Sequence, residues 1–213
     1  MRRQVFTVLA LCLLRCADAT TESVGVEAVW KPGPSSVQDI KAQCASNGPS
    51  FQDCFINAMG KAGASPQAVA FMRRTDGAYL REFRRVGPVD IAYVTYPFRA
   101  NENDGIFLVN GTPASVDVDN QQLLAMDELA KNSAYAALAK QYPQISLWSG
   151  DRYRTDEPSV KDLPQQRRRF VVHYRLRNQC HACAVVGSAR FGFDFDGSGK
   201  FLGTKLLQVT ASQ

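Results

Sequence analysis

In the first third of the chain, apolar residues recur at helical spacing. Val37, Ile40 and Cys44 share one side of a segment with Lys41, which predicts a short helix. Asn47-Gly48-Pro49 breaks it, and Ser50 is placed to cap a second helix. Phe51, Cys54, Phe55, Ala58 and Met59 fall at i, i+3, i+4, i+7 and i+8, so this second helix carries Cys54 on its buried face. Ser65-Pro66 supplies a cap and a first-turn proline for a third helix that runs to Arg74 and ends at Gly77. Residues 20–36, with Pro32, Gly33 and Pro34, read as an irregular arm.

From residue 78 the pattern turns extended. Segments 78–86, 89–96 and 106–109 are rich in β-branched and aromatic residues. Asn110-Gly111 signals a hairpin turn, with 115–119 as the returning strand. Asn110-Gly111-Thr112 also matches a glycosylation acceptor, but the turn accounts for the same residues. One long helix should come next, capped by Asp119 or Asn120. Leu123, Met126, Ala130, Ala134, Ala137 and Leu138 form its apolar stripe, and Pro143 stops it. Residues 145–148 read as a strand, and 150–166, with Pro158 and Pro164, as a polar surface loop. Then Phe170, Val172, Tyr174 and Leu176 alternate with Val171, His173, Arg175 and Arg177. Segments 184–196 and 200–209 flank a Gly197-Ser198-Gly199 turn, and Phe191, Phe193 and Phe195 share one face.

The expected fold class is α+β: N-terminal short helices plus a mainly antiparallel β-sheet packed against one long helix. Residues 20–77 form the arm and a disulfide-stapled helical part. Residues 78–213 form the sheet region, which joins 37–77 in one globular domain.

Composition sets the compartment. With 213 residues, 45% hydrophobic and 21% charged, long disorder, collagen and coiled-coil architectures are excluded. Arg2 and Arg3, an apolar run over 5–14 broken by Thr7, and Ala17-Asp18-Ala19 make a secretory signal peptide, residues 1–19. The run is too short to span a bilayer. A lipoprotein signal fits less well, because Arg15 precedes Cys16 and Leu11 precedes Cys12. The product is expected in a bacterial periplasm or secreted, with no membrane span after cleavage. Loss of Arg2, Arg3, Arg15 and Asp18 lowers the formal charge from +5 to +3, too little to argue for nucleic acid. Cys44, Cys54, Cys180 and Cys183 remain. An even number in an exported chain suggests disulfides. Three pairings are open, and sequence proximity favours Cys44–Cys54 and Cys180–Cys183.

No Walker loop, dinucleotide fingerprint, HExxH or nucleophile elbow occurs. The distinctive motif is Cys180-His181-Ala182-Cys183. As a redox site it lacks the strand-then-helix setting of thioredoxin-like motifs. As a metal site it offers three soft ligands and no obvious fourth beyond His173. Neither metal nor other cofactor is expected. As a recognition element it is a small ring that presents His181 between two strands. The plain alternative is a cross-linked hairpin turn. Asp194, Asp196 and Ser198, with Gly199, begin like a calcium loop, but Lys205 stands where the closing carboxylate belongs, and a β-hairpin accounts for the segment. Arg167-Arg168-Arg169 reads as a solvated edge, with contact to an anionic partner as the alternative; Arg73-Arg74 and Arg84-Arg85 read as solvated edges, and His173 as a surface residue.

The pattern over 170–207, with Cys180-His181-Ala182-Cys183 as its loop, resembles the inhibitor of vertebrate lysozyme family. The resemblance covers about a fifth of the chain after the leader. It implies an exported bacterial protein with a central antiparallel sheet. In that family a strand, a disulfide-closed loop with a histidine, and a further hairpin succeed one another. The loop histidine enters the lysozyme cleft and meets its catalytic carboxylates. The family loop has four residues between its cysteines; this one has two. The resulting expectation is an exported, non-enzymatic binding protein of inhibitor or immunity type, whose partner is a secreted lysozyme-like cell-wall hydrolase. His181 would make the contact in a loop held by Cys180 and Cys183. The alternatives are a thiol–disulfide exchange protein using the same motif, or a structural envelope protein.

Overall fold

A cap and a proline start one of the helices as expected: Ser65 Oγ accepts Ala68 N at 3.0 Å, and Pro66 occupies the first turn. The computed structural model describes residues 23–99, 104–149 and 158–212; the expected leader, residues 1–19, lies outside them. Helix α1 (Ser36–Cys44) buries Ile40 and Cys44. Helix α2 (Phe51–Lys61) buries Phe55, Ile56, Ala58 and Met59, and α3 (Pro66–Arg74) buries Ala68, Phe71 and Met72. The Cys44–Cys54 disulfide ties α1 to α2. Ser50 makes no side-chain cap. The chain reaches α2 through a 3-10 turn, Ala45–Ser50, and Ser50 at ψ 12° lacks the extended backbone that a cap needs. Gly77, at φ 90°, turns the chain out of α3, where a Cβ would press on the Phe98 ring at 3.1 Å.

Beyond the helices lie two antiparallel sheets, where the sequence suggested one. Strands β1 (Tyr79–Arg84), β2 (Asp90–Thr95), β3 (Asp104–Val109) and β4 (Ser115–Asp117) form the first in the order β1-β2-β3-β4. The predicted turn is present but longer than two residues: Asn110 N donates to Ala114 O, and the Thr112–Pro113 bond inside it is cis.

The expected long helix is two short ones, α4 (Met126–Lys131) and α5 (Ser133–Gln141). Asn132 between them is extended, at φ −73° and ψ 124°, and its Oδ1 accepts Ala134 N and Tyr135 N. A side chain that caps the next helix competes with continuation of the previous one. Of the expected stripe Leu138 is buried and Met126 is exposed, while Leu124 and Leu129, outside that stripe, are buried as well. Both helices contact the last strand of the chain, and Glu128 Oε2 accepts Leu206 N at 2.9 Å.

The second sheet contains β5 (Ile145–Ser149), β6 (Ser159–Asp162), β7 (Arg168–Asn178), β8 (Val185–Phe195) and β9 (Phe201–Ala211). Its order is β5-β7-β8-β9, with β6 also paired to β7. Strand β6 lies in the segment expected to be a surface loop. Its single apolar residue, Val160, gives no period to recognise.

Burial explains the layering. Ile91, Tyr93, Leu108 and Val116 of the first sheet, with Val118 just past β4, share a core with Phe170, Val172, Tyr174, Phe191, Phe193 and Phe195 of the second. The first sheet's other face, with Leu80, Val94 and Phe107, packs on Phe71 of α3 and Ala28 of the arm. The middle layer is thus covered on both sides, and β2 and β3 read as continuous apolar runs. In β7 buried and part-exposed residues alternate, and no described element covers the second sheet's far side.

Candidate functional site at the β7–β8 tip

Strands β7 and β8 pair from Arg168↔Phe195 to Arg177↔Val185, with a register shift beside Leu176. The chain then closes on itself. Asn178 N donates to Ala184 O and Cys183 N to Cys180 O, each at 3.0 Å, and Cys180 is bonded to Cys183. Cys180 and Ala182 are exposed; His181 and Cys183 are half-buried. The three expected site residues, Cys180, His181 and Cys183, therefore sit together at one surface tip.

Strand β5 holds this tip in place. Gln179 N donates to Gln144 O at 3.0 Å, and the two glutamine side chains are hydrogen-bonded. Ser146 Oγ donates to Gln179 O at 2.7 Å and accepts Trp148 Nε1 at 2.8 Å. The Trp148 ring in turn meets the His181 ring edge-on, with centroids 4.8 Å apart and planes at 72°. From β7, Arg177 Nη1 donates to Cys183 O at 2.8 Å. Gln144, Ser146, Trp148 and Arg177 were not anticipated from sequence. Their role depends on the β5–β7 register, Ser146↔Arg177 and Trp148↔Arg175, which no local spacing encodes.

The tip's setting bears on its chemistry. The cysteines close a hairpin turn, so no helix N-terminus lies at Cys180 to stabilise a thiolate. His173 faces Arg190: Arg190 Nε donates to its Nε2 at 2.9 Å, so that lone pair is not offered to the loop.

The calcium-like segment is a hairpin turn. Asp196 Oδ1 accepts Ser198 N, Ser198 Oγ and Lys200 N at 2.7–2.9 Å. These bonds, first that from Ser198 Oγ, lower the Asp196 pKa. Asp194 instead accepts Arg169 Nε at 2.6 Å, Arg169 Nη2 at 2.7 Å and Arg167 Nη2 at 3.1 Å. Arg168 holds Asp162 Oδ1 and Val86 O, each at 2.9 Å. The arginine triplet is therefore a set of anchors, where the sequence suggested a solvated edge.

A second concave feature corresponds to no motif in the sequence. A cleft of about 460 Å³ is lined by Arg74, Tyr96, Phe98, Arg99, Phe107 and Asp117, among others. The Arg99 guanidinium lies 3.4 Å from the centre of the Tyr96 ring. Burial raises the Asp117 pKa; burial, helped by the nearby Asp117, pushes Tyr96 up to about 12. These residues come from α3, β3, β4 and the segment that follows β2, so no local spacing links them.

The fold and tip define an α+β protein of helices, sheet and sheet, with a disulfide-closed loop at one hairpin. No protein-family model, curated protein or solved structure matches the chain. No described helix is long and apolar enough to cross a membrane.

Proposed function

We propose that the protein is an exported, non-enzymatic binding protein of inhibitor or immunity type, which places its Cys180–Cys183 loop in the cleft of a secreted cell-wall hydrolase. The observation that carries this reading is the anchoring of the loop before any partner arrives. Gln179 is tied to Gln144 and Ser146, and His181 rests against Trp148. A loop held in one conformation loses little freedom on binding, so more of its contact energy appears as affinity. An imidazole N–H is also a fitting donor to the catalytic carboxylates of such a cleft.

The test is a cell-wall lysis assay with the oxidised protein, titrated against lysozyme-like hydrolases of low and of high isoelectric point beside His181→Ala. Inhibition by the wild type that is lost in a folded variant supports the reading. Absence of inhibition by the wild type overturns it.

The exposure of Cys180 favours a second reading, thiol–disulfide exchange at the same loop. That reading requires catalysed reduction of a disulfide substrate such as insulin, abolished by Cys180→Ser.

A further inference from the structure

The tip is continuous with the face of the second sheet that no described element covers, and the described strands make that face basic. Residues paired across an antiparallel ladder share a face. The register therefore puts Trp148 with Arg175, His173 with Arg190, and Lys205 with Gly192 on the side opposite the phenylalanine core. Lys161, paired with Arg169, lies on the same side. Among the described residues, the one acidic side chain at a strand position of this face is Asp194, and Arg167 and Arg169 already share it. Outside that cluster the face carries Lys161, Arg175, Arg177, Arg190 and Lys205, five cations in a chain whose formal excess is +5. Residues two apart on a strand are about 7 Å apart, and neighbouring strands about 5 Å. The cations thus form one patch rather than scattered points.

The patch and the tip are joined physically. Arg177 belongs to the basic face and bonds the loop carbonyl of Cys183. Trp148 belongs to it too and supports His181. A partner that receives His181 therefore lies against these cations. We propose that the basic face is the second half of the contact and that the partner is a protein with an acidic surface around its cleft. This rests on the reading of the loop as a contact tip. Like charges brought together across an interface repel and suppress wrong partners, so strongly basic hydrolases are disfavoured as targets. The tryptophan–histidine pair at one end suits a folded protein surface, in which a few aromatic anchors are surrounded by a charged rim.

The experiment separates face from tip. Poly-L-glutamate is the probe for the face, and lysis by hydrolases of low and high isoelectric point is the readout for the tip. Lys161→Glu with Lys205→Glu reverses two exposed cations of the face. Lys31→Glu with Lys61→Glu makes the same change of net charge elsewhere. Circular dichroism confirms folding, and Lys161→Gln with Lys205→Gln serves if the reversal fails to fold. The face variant should bind poly-L-glutamate about tenfold or more weakly at low salt, the control should not, and inhibition should favour acidic hydrolases.

Equal loss in the control overturns the assignment. So does tighter binding of polyphosphate than of poly-L-glutamate at matched charge, which would indicate a phosphate-bearing polymer in place of a carboxylate-rich protein surface. Inhibition of a strongly basic hydrolase that ignores the face variants overturns it as well. His181→Ala should leave poly-L-glutamate binding intact while removing inhibition. If no hydrolase is inhibited but the face variants still lose the probe, the tip reading alone fails.

Discussion

Asn110 grips the backbone of Val24 from both sides: its Oδ1 accepts Val24 N at 2.7 Å and its Nδ2 donates to Val24 O at 2.8 Å. The same Nδ2 donates to Asp90 Oδ2 at 2.8 Å, and Asp90 Oδ1 accepts Val86 N and Gly87 N. Asp90 is only 5% exposed. Asn110→Ala frees the arm and leaves a buried carboxylate oxygen short of a donor. The expected loss is about 2–3 kcal/mol in urea denaturation. An unchanged midpoint would mean that water replaces the amide. The amide nitrogen that an N-linked sugar would need is already committed to this clamp.

Trp148→Ala removes the ring against which His181 rests. Because the indole is only half-buried, stability should fall by about 1–2 kcal/mol. Inhibition of a target hydrolase should weaken more, about tenfold, because the loop must then be ordered on binding. Trp148→Phe keeps an aromatic edge and should retain most of the activity. The comparison of inhibition constants with thermal unfolding of each variant decides between a supporting and a merely structural tryptophan.

The two disulfides should separate chemically. Cys44 is fully buried, whereas Cys180 is exposed. Under mild reductant, alkylation and then peptide mapping should find Cys180 and Cys183 labelled first. Removing the Cys44–Cys54 bond should cost about 3 kcal/mol, and removing Cys180–Cys183 about 2 kcal/mol at most, because the second closes the smaller ring. Labelling in the reverse order would contradict the burial pattern.

Asp117 gives a pH prediction of definite sign. Burial raises its pKa in the folded protein, so the folded state binds the proton more tightly than the unfolded chain. Its contribution favours folding below the unfolded pKa and is lost as pH rises through the folded one. Asp117→Asn should therefore raise the melting temperature at pH 7 and lose that advantage below about pH 3.8. The amide oxygen can still accept Asp119 N, as the carboxylate does at 2.9 Å. A variant less stable at pH 7 would show that the charge is needed there.

How much of this was legible in the sequence depends on how local each cause is. Ser65-Pro66, the Phe51–Met59 spacing and the alternation from Phe170 to Leu176 act over a few residues, and the elements appear where they predict. The Asn132 break was hidden because the alanines around it suit a continuous helix, and only the competing cap at Ala134 and Tyr135 stops it. Val118 is an instructive intermediate. It is buried, as a strand over 115–119 would require, yet it lies one residue past β4, and its carbonyl accepts the Tyr174 hydroxyl from the second sheet at 2.5 Å. The cysteine loop stood out as a motif, but its support by Trp148 and Gln144 requires knowing which strand lies beside β7. The basic face was invisible for the same reason: Arg175, Arg190 and Lys205 come from three strands and gather only when the register aligns them.

The division of the helical segment at Asn132 also bears on how the molecule behaves at high concentration. An eleven-residue border strand such as β9 is a natural seed onto which another chain can add, the first step of fibril growth. Here α4 and α5 both reach β9, and Glu128 occupies the Leu206 amide. Two short rods can track the twist of a long strand better than a single straight one. The interruption that spoils the helix thus shields the border and helps keep the chains apart.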